Sequence, residues 1–351
     1  MRSLMILLAL FASGAALAGS PRLAAEIKKE YELATAQWAQ KLRGAADADQ
    51  QMAIWRQRPN ASEYAQRMWA ELRSSLREEW SMDYSAWLLE YAPVFAAEVA
   101  GPDRKTPVQS IMRAVERFHL KSEKVGLLCL ALTSLPDPKI LALVEKVSKE
   151  NPDEAVQGQA AMAIAMLLKG LGEDRDIMVR RLTRLREAII KANDVKVGDV
   201  TVAKLAEDEI FVIQNLAKGR TAPDIVGRDS AGKPFKFSLL KSKVTVLVFW
   251  HSNMRDAERG LGLLRKLHKQ HGHRGMELIG VTSDPLEVLR NLRSKGTIPW
   301  RNFSDVSGRI AREYRVRTLP IVYVLNENRE IQFIGGPGTF VDLTVEALLA
   351  E

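Results

Sequence analysis

The sequence is poor in cysteine, with Cys129 as the single thiol among 351 residues. One thiol cannot form an internal disulfide bond, and it cannot supply a cysteine-rich metal site. Beyond the N-terminus, no segment is apolar over the roughly 20 residues that a membrane-spanning helix needs. The remaining composition, 46% hydrophobic and 27% charged, is typical of a globular protein. The chain length predicts two domains.

The first 18 residues have the pattern of a secretory signal peptide. A short basic start, Met1–Ser3, precedes an apolar run over residues 4–12, and Ala16-Leu17-Ala18 is an A-x-A cleavage pattern. We therefore expect cleavage before Gly19 and a mature protein in the periplasm or outside the cell. The alternative is an uncleaved membrane anchor, for which the apolar run is short. No cysteine follows it, which excludes a cysteine-linked lipid anchor.

Positive charge is concentrated in the C-terminal part. Residues 219–351 contain 21 Lys/Arg and 14 Asp/Glu, a net charge of +7, whereas residues 1–218 have a net charge of +1. Such a surplus can steer acidic partners, although a solvated surface of an exported protein is the preferred interpretation. Export argues against a nucleic-acid partner.

Residues 19–218 are predicted to form an all-α domain. Helical spacing of apolar residues recurs from Arg22 onwards, and five tryptophans in the first half are expected to pack between helices. Two similar segments, residues 122–135 and 153–166, lie 31 residues apart and are separated by proline-containing breaks. This pattern is typical of stacked helical hairpins of the HEAT or tetratricopeptide kind. Cys129 falls on the apolar face of the first copy and is interpreted as a core residue.

The pattern changes at about residue 219, where strand-like runs begin to alternate with helical ones. Strands are predicted at 235–237, 244–250, 276–282, 321–325 and 330–334, with helices at 256–271, 285–295, 307–314 and 344–349. Such alternation indicates an α/β domain built around a mixed sheet.

Several short motifs occur in a fixed order within this part: Ala222-Pro223-Asp224, Asp229-x-x-Gly232-Lys233, Phe249-Trp250, Gly280-Val281-Thr282-Ser283-Asp284 and Val316-x-x-Leu319-Pro320. The ordered set resembles the thioredoxin-like redoxins of the TlpA and AhpC/TSA type, with a helical N-terminal extension. The resemblance implies a thioredoxin-like fold over residues 219–351. It also implies a cis peptide bond between Leu319 and Pro320, beside the family's active site.

The resemblance places the family's two active-site cysteines at positions that hold other residues. Laid on Phe249-Trp250, the pattern Phe-Trp-x-x-x-Cys-x-x-Cys puts Met254 and Ala257 at the cysteine positions. The dithiol reaction needs a thiolate of lowered pKa and a second thiol that resolves the mixed disulfide. A thioether and a methyl group can do neither. Val248 also replaces the buried acid that many relatives have before the Phe-Trp pair, so no catalytic residue is assigned.

A peptide-binding groove is the function that the remaining frame could still perform. In thioredoxin-like proteins this groove holds an extended peptide by strand-like pairing. The candidate binding residues are Trp250, His251, Arg317, Thr318, Leu319 and Pro320. The sequence therefore favours a non-catalytic binding or scaffold protein with a protein or peptide partner in the cell envelope. Two alternatives stay open: the groove is an unused relic, or the chain is a thiol-disulfide oxidoreductase or peroxidase like its family.

Other patterns are weaker. His251, His268, His271 and His273 invite a metal site, but Gly272 and Gly275 are expected to end the helix and scatter the rings. Residues 309–317 hold four arginines near Pro320, which fit a solvated helix face or an anionic partner at the groove. No phosphate-binding or dinucleotide motif occurs. We therefore predict no metal and no cofactor, and the sequence gives no indication of oligomeric state.

Overall fold

The computed structural model describes residues 18–45, 48–100, 105–172, 174–252, 254 and 257–350. The chain divides into two compact units, residues 1–206 and 207–351. The predicted signal peptide lies outside the described residues except for Ala18, so it stays a prediction. The domain boundary that we expect after residue 218 stays a prediction as well.

The first unit is helical throughout its described core, as predicted. Its α-helices are α1 (Pro21–Arg43), α2 (Ala48–Arg56), α3 (Ala61–Leu72), α4 (Ser81–Tyr91), α5 (Pro93–Glu98), α6 (Pro107–Ala114), α7 (Val125–Leu132), α8 (Lys139–Glu150), α9 (Glu154–Lys169) and α10 (Arg175–Lys191). A π-helical turn, Val115–His119, extends α6. Helix α9 packs against α7, α8 and α10, and α4 packs against α7. The helices are confirmed, whereas the internal repeat stays a prediction.

The segment at Gly19 and Ser20, just before α1, is held by side chains of the same unit. The Gly19 N–H donates to Ser75 Oγ at 2.8 Å, and the Ser20 N–H donates to Glu71 Oε2 at 2.8 Å. A Cβ added at Gly19 would lie 1.8 Å from the Glu71 carbonyl oxygen, so only glycine fits there. Ser20 then caps α1 by accepting a hydrogen bond from the Leu23 N–H.

The two repeat-like segments begin differently. Asp153 caps α9 by accepting a hydrogen bond from the Val156 N–H, as expected. Ser122 does not cap α7, because that helix begins at Val125 and the Ser122 hydroxyl accepts from the Lys124 N–H in the preceding turn. The buried Asn151 amide joins the two starts by donating to the Ser122 carbonyl at 2.9 Å.

Aromatic packing explains the tryptophan series. Trp87 is buried in the apolar core of the helical unit, and Trp69 and Trp80 pack against that core while partly buried. Trp38 and Trp55 contact each other with ring centroids 5.2 Å apart, joining α1 to α2. The rings therefore act between helices, as the spacing predicted.

A short hairpin that we did not predict follows α10. Strands β1 (Lys196–Val197) and β2 (Val200–Thr201) pair antiparallel across Gly198, whose φ of 59° lies in the left-handed region. Helix α11 (Val202–Phe211) then begins, and a π-helical turn, Val212–Leu216, ends the segment. The apolar spacing over residues 200–216 predicts one helix, whereas the structure has a strand over its first two residues and begins α11 at Val202.

The second unit is an α/β domain with a five-stranded sheet. Its elements are β3 (Val226–Arg228), β4 (Pro234–Lys236), β5 (Val244–Trp250), α12 (Ala257–His271), β6 (Met276–Thr282), α13 (Leu286–Ser294), β7 (Arg301–Ser304), α14 (Arg309–Glu313), β8 (Ile321–Asn326), β9 (Ile331–Gly335) and α15 (Thr339–Ala350). The strand order is β7-β6-β5-β8-β9. Strands β5, β6 and β7 run parallel, whereas β8 is antiparallel to β5 and β9 to β8.

Strand β5 is the centre of this sheet, and both of its faces are buried. Val244, Val246, Val248 and Trp250 face a core cluster that includes residues of α12 and α15, such as Leu264 and Val345. Leu247 and Phe249 face a second cluster with Tyr314 and Tyr323. Burial on both faces is why β5 reads as a continuous apolar run rather than an alternating one.

Candidate functional site

The junction between β5 and α12 is the place where the family resemblance puts its cysteines. Strand β5 ends at Trp250 and helix α12 begins at Ala257. Two turns shape the described part of the connection: the Met254 N–H donates to the His251 carbonyl, and the Ala257 N–H donates to the Met254 carbonyl, both at 3.1 Å. Met254 and Ala257 are both partly exposed at the start of the helix.

Met254 and Pro320 both lie close to Gly260. A Cβ added at Gly260 would be 3.5 Å from Met254 Cε, 3.8 Å from Pro320 Cγ and 3.9 Å from Pro337 Cγ. All three side chains therefore converge on one point of the α12 surface. The Leu319–Pro320 peptide bond is cis, which confirms that prediction. Met254, which the family resemblance assigns to the first cysteine position, thus lies close to the cis-proline.

The segment before Pro320 presents both side chains and backbone. Arg317, Thr318 and Leu319 are exposed, with Leu319 at 44%. Among the described residues, no backbone hydrogen bond engages the N–H or C=O of Thr318. Exposed backbone groups of this kind can pair with an added extended chain.

The prediction that Trp250 belongs to the binding surface is wrong. Its side chain is 1% exposed, and its indole N–H donates to Asn302 Oδ1 at 3.0 Å. The Asn302 amide in turn donates to the Trp300 carbonyl. Trp250 shares a face of β5 with Val248 and Val246, so strand alternation directs the ring into the core.

A buried carboxylate that we did not assign from the sequence organises the end of β5. Asp284 is 2% exposed and accepts hydrogen bonds from the Ser252 N–H at 2.9 Å, the Ser252 hydroxyl at 2.8 Å and the Thr282 hydroxyl at 3.0 Å. His251 Nε2 lies 3.3 Å from the same carboxylate, and the His251 side chain is 31% exposed. Through these hydrogen bonds, Asp284 fixes the residues that leave the strand.

The role of Asp284 could have been predicted from its position two residues after the end of β6. Strands β5 and β6 run parallel, so residues that follow them meet at the same edge of the sheet. We noted the acidic end of the Gly280–Asp284 motif only as part of a resemblance. Its contact with His251 and Ser252 could have been anticipated from the parallel pairing.

The other histidines are used separately. His271 is fully buried and bonds Asp342 at 2.8 Å, and the His268 ring packs edge-on against Trp300. Burial lowers the pKa of His268, which favours its neutral form. In the part of the chain that the structure describes, no three His, Cys, Asp or Glu side chains are placed together for a metal ion.

The single cysteine lies in the other unit. Cys129 is 1% exposed within α7, and burial raises the pKa of its thiol to about 12. A thiol of this kind is a small core residue rather than a nucleophile. For the described helices, none combines the length and apolar character required to cross a bilayer.

Comparison with known proteins gives a family match for most of the second unit. Residues 218–334 match the AhpC/TSA family. The thiol-disulfide oxidoreductase ResA of Bacillus thuringiensis subsp. konkukian is 25% identical over 123 residues, covering 34% of this chain and 71% of that protein. Peroxiredoxin Q of Sedum lineare is 25% identical over 158 residues, covering 42% and 84%.

Solved structures give the same kind of match. The thioredoxin domain of a thiol-disulfide oxidoreductase from Bacteroides vulgatus is 21% identical, with a TM-score of 0.36, over 38% of this chain and 99% of that domain. The segment that matches the family contains no cysteine. On the family match alone, residues 218–334 are a redoxin-type domain, and this domain has no thiol of its own.

Proposed function

We propose that this chain is an exported, non-catalytic binding protein of the cell envelope, which holds a segment of a protein partner in the groove beside Pro320. The observation that carries the proposal is the environment of Met254. A thioether stands at the first cysteine-equivalent position, next to a cis-proline, in a domain without a thiol. The cis-proline that the family resemblance implies is present, and the two thiols that the dithiol reaction needs are not.

The groove, which we define as Met254, Thr318, Leu319, Pro320 and Pro337, combines apolar side chains with available backbone. Leu319 offers an exposed apolar side chain, and Thr318 offers backbone groups without a partner among the described residues. Strand-like pairing supplies affinity in such a site, and side-chain contacts supply selectivity. His251 lies at the end of β5, oriented by Asp284. Export rests on the signal-like N-terminus.

Photo-crosslinking from the groove tests this proposal. A photoreactive phenylalanine analogue at Leu319 in the full chain should give discrete adducts with envelope proteins of the source cells. The matched control is Leu239, which is 72% exposed and also apolar but lies after β4. Identical adducts from positions 319 and 239, or none from position 319, would count against a binding groove.

Catalysis is the alternative to be tested alongside. We expect the wild-type protein to show no disulfide reductase or peroxidase turnover above a thiol-free control. The Met254→Cys/Ala257→Cys variant should form an internal disulfide and gain reductase activity, because the hydrogen-bonded turn between these positions holds Cα atoms within about 7 Å.

Mass spectrometry with and without reductant detects the new disulfide, and insulin reduction measures activity. Met254→Ser/Ala257→Ser is the matched control, since it changes the same positions without sulfur. Wild-type turnover equal to that of the double-cysteine variant would refute the non-catalytic proposal. Failure of the disulfide to form would instead contradict the placement of Met254 and Ala257 at the cysteine positions.

A further inference from the structure

Positive charge exceeds negative charge around the segment that leads to Pro320. This segment and helix α14 contribute four arginines, which are Arg309, Arg312, Arg315 and Arg317. Two carboxylates among the described residues pair with them. Glu313 pairs with Arg309, and Asp208 pairs with both Arg315 and Arg317. Arg312 donates to the Ser307 carbonyl instead. The local surplus of cations is therefore not neutralised by these contacts.

Asp208 holds its two arginines unequally. Arg315 Nε lies 2.8 Å from the carboxylate, and its guanidinium also stacks over the Phe211 ring, 4.3 Å from the centroid. Arg317 Nη2 lies 3.4 Å from the same carboxylate, and its side chain is 53% exposed. Arg315 is thus the fixed partner, whereas Arg317 is the looser one and keeps most of its donors towards solvent. Exposed pairs of this kind are weak and exchange readily with another anion.

Arg317 lies next to the apolar part of the groove. Leu319 follows it by two residues and is exposed, and Pro320, Met254 and Pro337 converge around Gly260. The surface therefore offers one guanidinium and an apolar patch within a few residues of each other. A guanidinium forms paired hydrogen bonds with a carboxylate, which a lysine ammonium cannot do in the same geometry.

We propose that the groove selects extended peptides in which an acidic residue lies close to an apolar one, with Arg317 binding the acidic side chain. The peptide backbone pairs with the open groups of Thr318, and its apolar side chain contacts Leu319 and Met254. The inference rests on the proposed binding function and names the class of partner for that same groove. The net charge of +7 over residues 219–351 would speed the approach of such acidic segments.

Three synthetic decapeptides test the selectivity. Each has a fluorescent label and a central Leu-Val pair, and four flanking positions are all Glu, all Gln or all Lys. Fluorescence anisotropy with the full chain should give about 5-fold tighter binding of the Glu peptide than of the Gln peptide, and weakest binding of the Lys peptide. The Glu preference should shrink when salt is raised from about 50 to 500 mM, because exposed ion pairs are screened.

Variants identify the residue responsible. Arg317→Ala should lower affinity for the Glu peptide about 3- to 10-fold and leave the Gln peptide within about 2-fold. Arg317→Lys should restore part of the preference. Lys269→Ala is the matched control, since it removes the same charge from an exposed position in the last turn of α12, at the opposite end of that helix from Met254. It should leave all three affinities unchanged.

Equal binding of the Glu and Gln peptides, or a Glu preference that survives Arg317→Ala, would refute the acidic selectivity while leaving a binding groove in place. Failure of all three peptides to bind, together with absence of crosslinks from position 319, would refute both proposals. Sedimentation velocity tests whether a second copy of the chain occupies the groove instead. A wild-type dimer that dissociates in the Arg317→Glu variant would assign the groove to that second copy and overturn the peptide proposal.

Discussion

At the scale of single residues, burial decides what Cys129 can do. Its side chain is enclosed in α7, and the pKa of its thiol is raised to about 12 by burial. Only the thiolate is nucleophilic, so near neutral pH the reactive form is populated to about one part in 10⁵. The absence of redox chemistry that we propose thus depends on the environment of Cys129 as well as on the identity of residues 254 and 257.

We expect Cys129 to resist thiol reagents in the folded protein. In Ellman's assay at pH 8, the native chain should react negligibly over the time in which one thiol per chain reacts in 6 M guanidinium chloride. The Met254→Cys variant, with its partly exposed position, is the positive control. Rapid reaction of one thiol in the native wild type would show that α7 opens or that Cys129 is accessible.

At the scale of elements, Asp284 joins the ends of two parallel strands. It receives donors from Ser252 after β5 and from Thr282 at the end of β6. A buried acceptor of this kind fixes the connection that carries Met254 towards α12. The groove therefore depends on a residue that does not line it.

Removing the Asp284 carboxylate should destabilise the protein. Asp284→Ala leaves the Ser252 N–H and the Thr282 hydroxyl without their acceptor, so we expect a loss of about 2–4 kcal/mol in the free energy of unfolding. Asp284→Asn should lose less, because one oxygen acceptor remains. The exposed neighbour Ser283→Ala is the control and should change stability by less than about 0.5 kcal/mol. Urea unfolding measures all three, and equal stability of Asp284→Ala and wild type would contradict this role.

The strands that were predictable from sequence are those with long apolar runs. Strands β5, β6 and β8 match the predicted segments within one residue at each end. Strand β7 was not predicted, since Arg301–Ser304 is short and polar at both ends and is a strand only because β6 pairs with it. Helix α15 begins five residues before its predicted start. The sequence did not indicate this first turn, because Thr339 and Phe340 are exposed and carry no apolar periodicity.

The candidate site was predictable to a similar extent. The position of Met254 beside Pro320 followed from the ordered motifs. The burial of Trp250 could have been read from the alternation along β5, yet its aromatic ring at the strand end suggested a binding surface. The ion pairs of Arg317 and Arg315 with Asp208 could not be predicted, because they join residues more than 100 positions apart.

At the scale of the whole molecule, the chain combines a helical part of nearly balanced charge, residues 1–218 with a net charge of +1, with a basic redoxin-type part, residues 219–351 with a net charge of +7. The direct matches to known proteins concern the second unit. The proposed export would place both units outside the cytoplasm, where a cysteine-poor chain avoids unwanted disulfides.

Export predicts the first residue of the native protein. N-terminal sequencing of the chain isolated from its source cells should begin at or near Gly19, and the protein should be recovered from the envelope or the medium. Ala18→Gln in the A-x-A pattern should slow processing and leave a longer chain, whereas Ser3→Gln in the basic region should not. A native chain that begins at Met1 or Arg2 would contradict the signal peptide.

Because Gly19 is packed against the helical unit, cleavage before it would also change the stability of the folded protein. Cleavage before Gly19 would turn an amide N–H into an ammonium group that still faces Ser75, one residue from the Glu71 carboxylate that binds the Ser20 N–H. The new positive charge would gain an acidic neighbour on folding. The cleavage pattern depends on Ala16 and Ala18, whereas Gly19 is constrained by the Glu71 carbonyl that excludes any side chain. A precursor and its mature product would then differ in resistance to proteolysis, with the processed form the more durable.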